Sequence, residues 1–528
     1  MVQTGEDRAA VETVAGPRPA AKSHGRAATT IGLVFVVLAA VLLLRLGVQD
    51  RKGPAHTPVS LPNGAPATLY IPRNMPNNLE FPFQPPADRR PPLVIVAHGY
   101  MADQNIMSSI ARSLARAGYG ALTFDFRGHG ANTHPFQGEL HADLSAALDW
   151  AGRSPEVDGT RVVLLGHSMG AEAVLEFASR DSRPLAVIPL SGGNVVDDIR
   201  VPPNVLLISS SGDPKPIRDR QAQVERYLAG RTHVRRIVVQ GKDHVTELWS
   251  SRVIDESVHW FDTALGVRRT SPPPGLADPR LGTAGLYLLV ATILLGFVGW
   301  LAGRLVPPLP TTTMVGSWVL LLLALLLTLP LLAVGPPGLL PLSEDSVVTS
   351  LAVAGGLLWA MRWLAAGRAI GGSVPSWIGT GEWLPLRSVL VPGLAAGAAL
   401  FVLLNPLGAV FHRLIPTPER LVLWVAVAAL VLPFFAAFEA IVRRGTVLRS
   451  IGWGVLGRVV LLAALYLGVA SAAFPPVVGI VVPLLLGLFL LLEVFAATAY
   501  SAGRNPALIA VVDAIFVAWI VTATIPVV

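Results

Sequence analysis

From Thr283 to Val528 the chain is apolar almost without a break. A soluble fold of that size would need charge over its surface, roughly a quarter of all positions. The whole sequence has 14% charged and 52% hydrophobic residues. The excess apolar surface must therefore face lipid. At about 20 apolar residues per crossing helix, this part divides into eight spans, near 284–303, 314–334, 346–366, 388–404, 421–441, 457–474, 476–499 and 507–527. Pro330, Pro392, Pro433 and Pro483 fall inside them and predict kinks, which helices in lipid tolerate because neighbouring groups satisfy the freed backbone.

A further span precedes them at residues 27–47, built on the unbroken apolar run Ile31–Leu44. The run is long, starts deep in the chain, and is followed by Arg45 where a small-residue cleavage site would stand. It therefore reads as an uncleaved signal anchor. Residues 1–26 are polar, with Pro17 and Pro19 and no periodicity, and read as a disordered cytoplasmic tail.

The arginines between spans give the orientation. One alternate set of loops holds Arg304, Arg362, Arg368, Arg387, Arg443, Arg444, Arg449, Arg458 and Arg504. The opposite set holds Arg413 and Arg420, beside Glu344 and Asp345. Basic residues stay on the cytoplasmic side, so the N-terminus is expected in the cytoplasm and residues 48–280 outside the plasma membrane. The net charge of +7 therefore reports membrane orientation, and no nucleic-acid partner is expected. Only Lys22, Lys52, Lys215 and Lys242 are lysines among 41 basic residues. That arginine excess, with abundant Ala, Gly, Pro and Val, points to a GC-rich bacterial genome. The chain has no cysteine, which excludes disulfides, thiolate metal sites and a cysteine nucleophile.

Residues 48–267 have soluble composition, and a Pro-rich linker spans 268–282. Apolar runs at Leu93–Ala97, Gly120–Phe126, Arg161–Leu165, Leu185–Leu190, Val205–Ser209 and Val234–Val239 alternate with helical patterns near 104–117, 139–152, 169–180, 216–229 and 246–264. Residues 58–72 offer one or two more strands. Alternation of this kind specifies a mostly parallel sheet with crossover helices on both faces. In such sheets the chemistry lies beyond the carboxyl ends of the strands.

There, after Arg161–Leu165, stands Gly166-His167-Ser168-Met169-Gly170, with a helical pattern from Ala171 onward. A bare G-x-S-x-G is weak. Between a buried strand and a helix it becomes an elbow that presents a serine nucleophile. A serine hydroxyl needs a base and the base an orienting acid, in the chain order Ser, Asp, His for such an elbow. His244 follows the strand Val234–Val239 and Asp213 follows Val205–Ser209. His233 opens a strand at the wrong end, and His259 lies in the last helix. For the acid, Asp197, Asp198 and Asp243 remain alternatives to Asp213. The oxyanion needs two donors: the N–H of Met169 at the helix start, and the N–H of Tyr100 in the turn His98-Gly99-Tyr100. His98 is expected to shape that turn.

Val94–Gly99, Phe124-Asp125-Phe126-Arg127-Gly128-His129-Gly130 and the Gly166–Gly170 elbow resemble the α/β-hydrolase superfamily, in particular its lysophospholipase and monoacylglycerol-lipase-like group, with some similarity to dienelactone hydrolases. The resemblance covers residues 58–265. It implies a serine hydrolase with no cofactor and no metal, and leaves the substrate open, because this fold serves many chemistries. Asp125, Arg127 and His129 match a loop that is structural in that family, and the irregular spacing of His129, His134 and His141 does not suit a metal site. Many members insert a helical cap before the strand that carries the acid. Here Leu190 and Val205 stand too close together for one, so the site is either open or covered by the membrane domain and linker.

The expected protein is thus a serine esterase or lipase acting on acyl esters of lipids or envelope components at the outer membrane face. An acyltransferase using the same residues, or a transporter with a hydrolase-like outer domain, are the alternatives. The apolar part resembles no named family, and Glu439, Glu493 and Asp513 stand out within its spans. They are functional flags, unless Arg443, Arg458 or Arg504 pair with them near the interface.

Overall fold

The computed structural model describes residues 21–528 apart from 78, 81–89, 139, 196–199, 309–316, 335–339, 370–385, 472, 473 and 475. Strands β1 (Ala55–Ser60), β2 (Pro66–Ile71), β4 (Pro92–Ala97), β5 (Gly120–Phe124), β6 (Asp158–His167), β7 (Pro184–Leu190), β8 (Val205–Ser210) and β9 (Val234–Val239) form one sheet in the order β1-β2-β5-β4-β6-β7-β8-β9. The β1/β2 and β2/β5 pairs are antiparallel, and the pairs from β5/β4 to β8/β9 are parallel.

Side chains alternate across a strand, and here that alternation feeds two cores. Val94, Val96, Val163, Leu165, Ile188 and Ile208 pack on α2 (Ser108–Arg116) and α6 (Ser251–Leu265). Leu93, Ile95, Leu122, Leu164 and Val187 face α3 (Leu140–Ala151) and α4 (Met169–Arg180). Both faces are apolar, which is why the central strands read as continuous apolar runs. A fifth helix, α5 (Lys215–Leu228), covers β8 through Val224 and Leu228.

Each of the eight expected C-terminal intervals holds a helix: α7 (Arg280–Arg304), α8 (Ser317–Val334), α9 (Ser346–Ala369), then Leu386–Leu404, Pro418–Val442, Val447–Ala470, Pro476–Gly503 and Pro506–Thr524. Together with α1 (Ala21–Lys52), seven of the described helices are long and apolar enough to cross a membrane, and Trp318–Thr328 and Ser346–Met361 are shorter apolar stretches.

Some boundaries move. The α1 helix opens inside the interval expected as tail and runs on to Lys52; residues 1–20 lie outside the described residues. Helix Val447–Ala470 starts ten residues before the expected 457, because Thr446 caps it by accepting from the Arg449 N–H. Arg449, Gly452 and Gly454 hide that first stretch from an apolar scan. The Pro-rich linker is not all irregular either. Arg268–Arg269 form β10, pairing antiparallel with β3 (Leu79–Glu80), and α7 already begins at Arg280.

The helical region docks on the edge of the sheet that carries the elbow. Arg420 Nη2 donates to Gly128 O (2.6 Å), while Val527 pairs with the same loop through Phe136 N→Val527 O (2.7 Å) and Val527 N→Gly128 O (3.0 Å). A Cβ on Gly128, whose φ is +73°, would lie 2.6 Å from Val527 O. At the other side Arg280 bridges Asp278 (2.7 Å) and Asp50 at the end of α1 (3.2 Å).

Candidate active site

Between β6 and α4 a single residue, Ser168, makes the turn, with φ 54° and ψ −117°. L-residues rarely adopt such a conformation, and it costs on the order of 1–3 kcal/mol where it persists. Two glycines allow the close approach: a Cβ at Gly166 would lie 2.1 Å from Gly170 O, and one at Gly170 would lie 2.6 Å from the carbonyls of Ala97 and His98.

His244 comes to this serine from the loop after β9. Its Nε2 lies 3.0 Å from Ser168 Oγ, and its Nδ1 lies 2.8 Å from Asp213 Oδ1. Burial alone would raise the Asp213 carboxyl. Hydrogen bonds from His244, Ser191 Oγ (2.5 Å) and the Ser210 N–H (2.7 Å) outweigh it and hold the group below the ordinary carboxylate range. An ionised Asp213 only accepts, so Nδ1 must carry the imidazole proton and Nε2 is left to accept from the serine hydroxyl. Chemically, this arrangement can take a proton from Ser168 and stabilise the imidazolium that results.

The turn after β4 lies directly against the elbow: a Cβ on Gly99 would sit 3.3 Å from Ser168 Cβ. Among the described residues neither the Tyr100 nor the Met169 N–H has a backbone acceptor. Met169 is the first residue of α4, where helix N–H groups point outward unpaired. Met169 follows the serine in the chain, and Tyr100 follows Gly99, the residue that lies against it. His98 bonds to neighbouring backbone. Its Nε2 accepts from the Phe126 N–H (3.0 Å) and its Nδ1 faces Gly99 O (2.8 Å), so it ties the two loops together.

The other sequence candidates separate cleanly. Asp243 accepts from Val245 N (3.0 Å) and Thr246 N (2.8 Å) and forms a local turn. Asp197 and Asp198 lie outside the described residues. His233 stacks on Trp260 with ring centroids 4.5 Å apart, and His259 is exposed on α6. Asp125 accepts from Gln104 N (2.8 Å) and Ala131 N (2.9 Å), joining two loops, and burial followed by the charge of Asp103 raises it to about 6. Arg127 pairs with Asp143 at 3.3 Å, His129 lies edge-on to Phe136, and His141 lies on Phe177.

Two residues escaped the sequence reading. Ser191, directly after β7, holds the second oxygen of Asp213; its one signal was a hydroxyl at a strand end. Glu247 is fully buried behind the site and accepts from Ser210 Oγ (2.5 Å). Burial, then the charge of Asp213, pushes its carboxyl well above the ordinary range. Nothing in its sequence neighbourhood marked it.

His167, His244 and Glu247 bring potential ligand atoms within 4.8 Å of one another, the one such group among the described residues. Both ring nitrogens of His244 already face Ser168 and Asp213, and His167 Nε2 lies 2.8 Å from His244 O. A cation there would have to break the contacts that position the base.

His98, His129 and His167 are each lowered to about 3 by burial, from an ordinary 6.5. The unfolded chain then binds the extra protons between those two values. Their contribution to stability is whole above pH 6.5 and falls as the pH drops, by up to about 1.4 kcal/mol per pH unit for each histidine. The raised carboxyls of Asp125 and Glu247 act in the opposite direction over part of that range, so the histidines are followed one by one. In an NMR titration the three rings should stay neutral in the folded protein well below pH 6.5, and a ring that protonates near 6.5 would contradict its burial.

A family model described as serine aminopeptidase, S33, matches residues 89–229. An uncharacterized protein of Mycobacterium tuberculosis is 34% identical over 100 residues, which are 19% of this chain and 35% of that one. The sn-1-specific diacylglycerol lipase ABHD11 of Xenopus tropicalis is 32% identical over 114 residues, 19% of this chain and 34% of that protein. The match thus spans about a third of these relatives' length. Among solved structures, a hyperthermophilic esterase from Pyrobaculum calidifontis covers 45% of this chain and 93% of its own at 15% identity, with a TM-score of 0.32. A putative α/β hydrolase from Agrobacterium tumefaciens covers 40% and 97% at 17% identity, with a TM-score of 0.33. The family match at residues 89–229, the mostly parallel eight-stranded sheet and the strand–serine–helix elbow together identify the sheet-bearing part of this chain as a domain of the α/β-hydrolase superfamily, followed by an all-helical region with several apolar helices.

Proposed function

We propose that the protein is a membrane-embedded serine hydrolase that cleaves carboxylic esters of lipid-like substrates at the outer face of the plasma membrane. The observation that carries the reading is the unbroken relay Asp213–His244–Ser168, at 2.8 and 3.0 Å, on a strained elbow. Ser168 Oγ attacks the acyl carbonyl as its proton passes to His244 Nε2. The Tyr100 and Met169 N–H groups receive the oxyanion. His244 returns the proton to the departing alkoxide, and water, activated by the same imidazole, releases the acyl group. No cofactor or metal takes part in these steps.

The substrate class rests on a cleft beside the turn that carries Tyr100; Ser168 and His244 are not among the residues that line it. Tyr100 and Phe136 line a cleft of about 530 Å³ together with Leu340, Leu342 and Val528 of the helical region. The Tyr100 hydroxyl donates to Ser343 Oγ (2.6 Å), closing one wall. No cap helix is needed where the helical region lies over the domain. The lining is mostly apolar, although it includes Gln137, Ser343 and Asp345, and a cleft of this kind between the domain and the helix ends suits an acyl chain that enters from the bilayer. The outward faces of the helices support insertion, with Leu33, Val37, Leu289, Val319, Val422 and Val425 all exposed.

In liposomes, the full-length protein should hydrolyse long-chain acyl esters held in the bilayer and leave aminoacyl anilides intact. Cleavage of anilides alone would replace the esterase reading by a peptidase one. Turnover that requires an added alcohol, with the acyl group recovered on it, would make the protein an acyltransferase. Orientation has a separate test, because the chain has no cysteine of its own. Lys215 is well exposed on α5, so a Lys215→Cys variant should react with an impermeant maleimide in intact cells. Labelling only after lysis would place the domain on the inside.

A further inference from the structure

Away from the hydrolase domain, four helices converge on a group of buried charges. Glu439 lies in Pro418–Val442 and Arg443 just beyond it, Arg458 in Val447–Ala470, Glu493 in Pro476–Gly503 and Asp513 in Pro506–Thr524. All five are at most 5% exposed, and Glu439 and Asp513 are at 0%. Arg504, the third expected cation, is elsewhere: it donates to Gly445 O (2.7 Å) and lies over the Tyr500 ring. Gly454 makes the room, since a Cβ there would lie 2.6 Å from both Arg443 Nη1 and Glu493 Oε2.

The hydrogen bonds are unevenly shared. Glu493 accepts from Arg443 Nη1 (2.6 Å), Arg443 Nη2 (2.6 Å) and Arg458 Nη1 (2.7 Å), as an ionised carboxylate does. Glu439 accepts from Arg443 Nε (2.7 Å), and Asp513 from Arg458 Nη2 (3.0 Å). That leaves Glu439 Oε1 and Asp513 Oδ1, both buried and both without a hydrogen-bond donor, although Arg458 Nη2 comes within 3.2 Å of the former. The two carboxyls meet at one guanidinium nitrogen, Arg458 Nη2, which lies 3.2 Å from Glu439 Oε1 and 3.0 Å from Asp513 Oδ2.

Among the described residues, three carboxyls thus face two guanidiniums. Arginine keeps its charge, so full ionisation would leave one net negative charge in an apolar bundle. A buried charge without a partner costs several kcal/mol even after relaxation. Two facing carboxyls can bond only if one of them carries a hydrogen. A single proton taken from solvent meets both demands: it neutralises the group and gives one carboxyl an O–H to donate. We propose that Glu439 and Asp513 share one exchangeable proton and form a proton-binding site inside the helical region. The inference is independent of the hydrolase reading. Intramembrane carboxyls of this kind are where proton relays are built.

Infrared spectroscopy of the detergent-solubilised full-length protein tests it, because a protonated carboxyl absorbs apart from carboxylates and amides. Glu247 is a second buried acid in the hydrolase domain, so the measurement uses a Glu247→Gln background. At neutral pH that protein should keep a protonated-carboxyl band that shifts in D2O. The band should be lost in Asp513→Asn and in Glu439→Gln, each of which removes the surplus charge and should leave Tm close to the parent. No exchangeable band in the Glu247→Gln parent overturns the proposal without recourse to the helical-region variants. So does a band that survives both substitutions. Absence of the band together with a rise in Tm on adding sodium would assign the pocket to a metal cation instead.

Discussion

Ser168→Ala is expected to reduce turnover by about 10⁴–10⁶-fold while leaving the fold unchanged, since the acyl-enzyme can no longer form. The hydroxyl is nearly free of structural duties: among the described residues its one side-chain hydrogen bond is to His244. The backbone at this position carries strain, with φ at 54°, and alanine inherits it unchanged. Tm should therefore stay within a degree or two of the parent, by the small effect expected when no buried partner is orphaned. His244→Ala should cost a comparable factor, and the double variant about the same as either single one, because the two act as a unit. Multiplicative losses would mean that the two residues act in separate steps.

The second large effect belongs to Asp213→Asn. The side chain keeps its shape, but one end of the amide now presents N–H to Ser191, Ser210 or His244, all of which donate to the carboxylate in the native site. Facing an N–H donor, His244 would hold its proton on Nε2 and point it at Ser168, where it cannot act as base. A wrong tautomer of this kind costs about 10⁴-fold in turnover. Because a buried donor pair is also mismatched, stability should fall by about 1–3 kcal/mol. Assays of kcat beside thermal melts separate the two losses. Near-native turnover in Asp213→Asn would move the acid to one of the alternatives, Asp197 or Asp198.

Most of the scaffold was legible because apolar periodicity survives without tertiary context. The central strands bury both faces and so appear as unbroken apolar runs, and each long apolar interval holds a helix. Ser168, Asp213 and His244, which hydrogen bonds link into one chain, stood out because each lies within a few residues of a strand end. What the sequence hid is whatever depends on distant partners. The β3/β10 ribbon has two residues per strand and no period to detect. Glu247 serves the site through Ser210, 37 positions away, and Tyr100 meets Ser343 243 positions away. The charged group in the helices was half visible. Glu439, Glu493 and Asp513 stood out as acids in apolar spans, and Arg443 and Arg458 do pair with them, whereas Arg504 turns to the backbone instead. Sequence order gives no register between helices, so the choice among three arginines was settled only by packing.

Covalent labelling with a fluorophosphonate reports directly on whether Ser168 is an activated nucleophile, because the probe reacts with a serine only when a base activates it. The solubilised full-length protein should be labelled at Ser168, Ser168→Ala should not be labelled, and His244→Ala should be labelled far more slowly. Labelling that persists in folded Ser168→Ala protein, or that proceeds at the wild-type rate in His244→Ala, would contradict the base-activated serine.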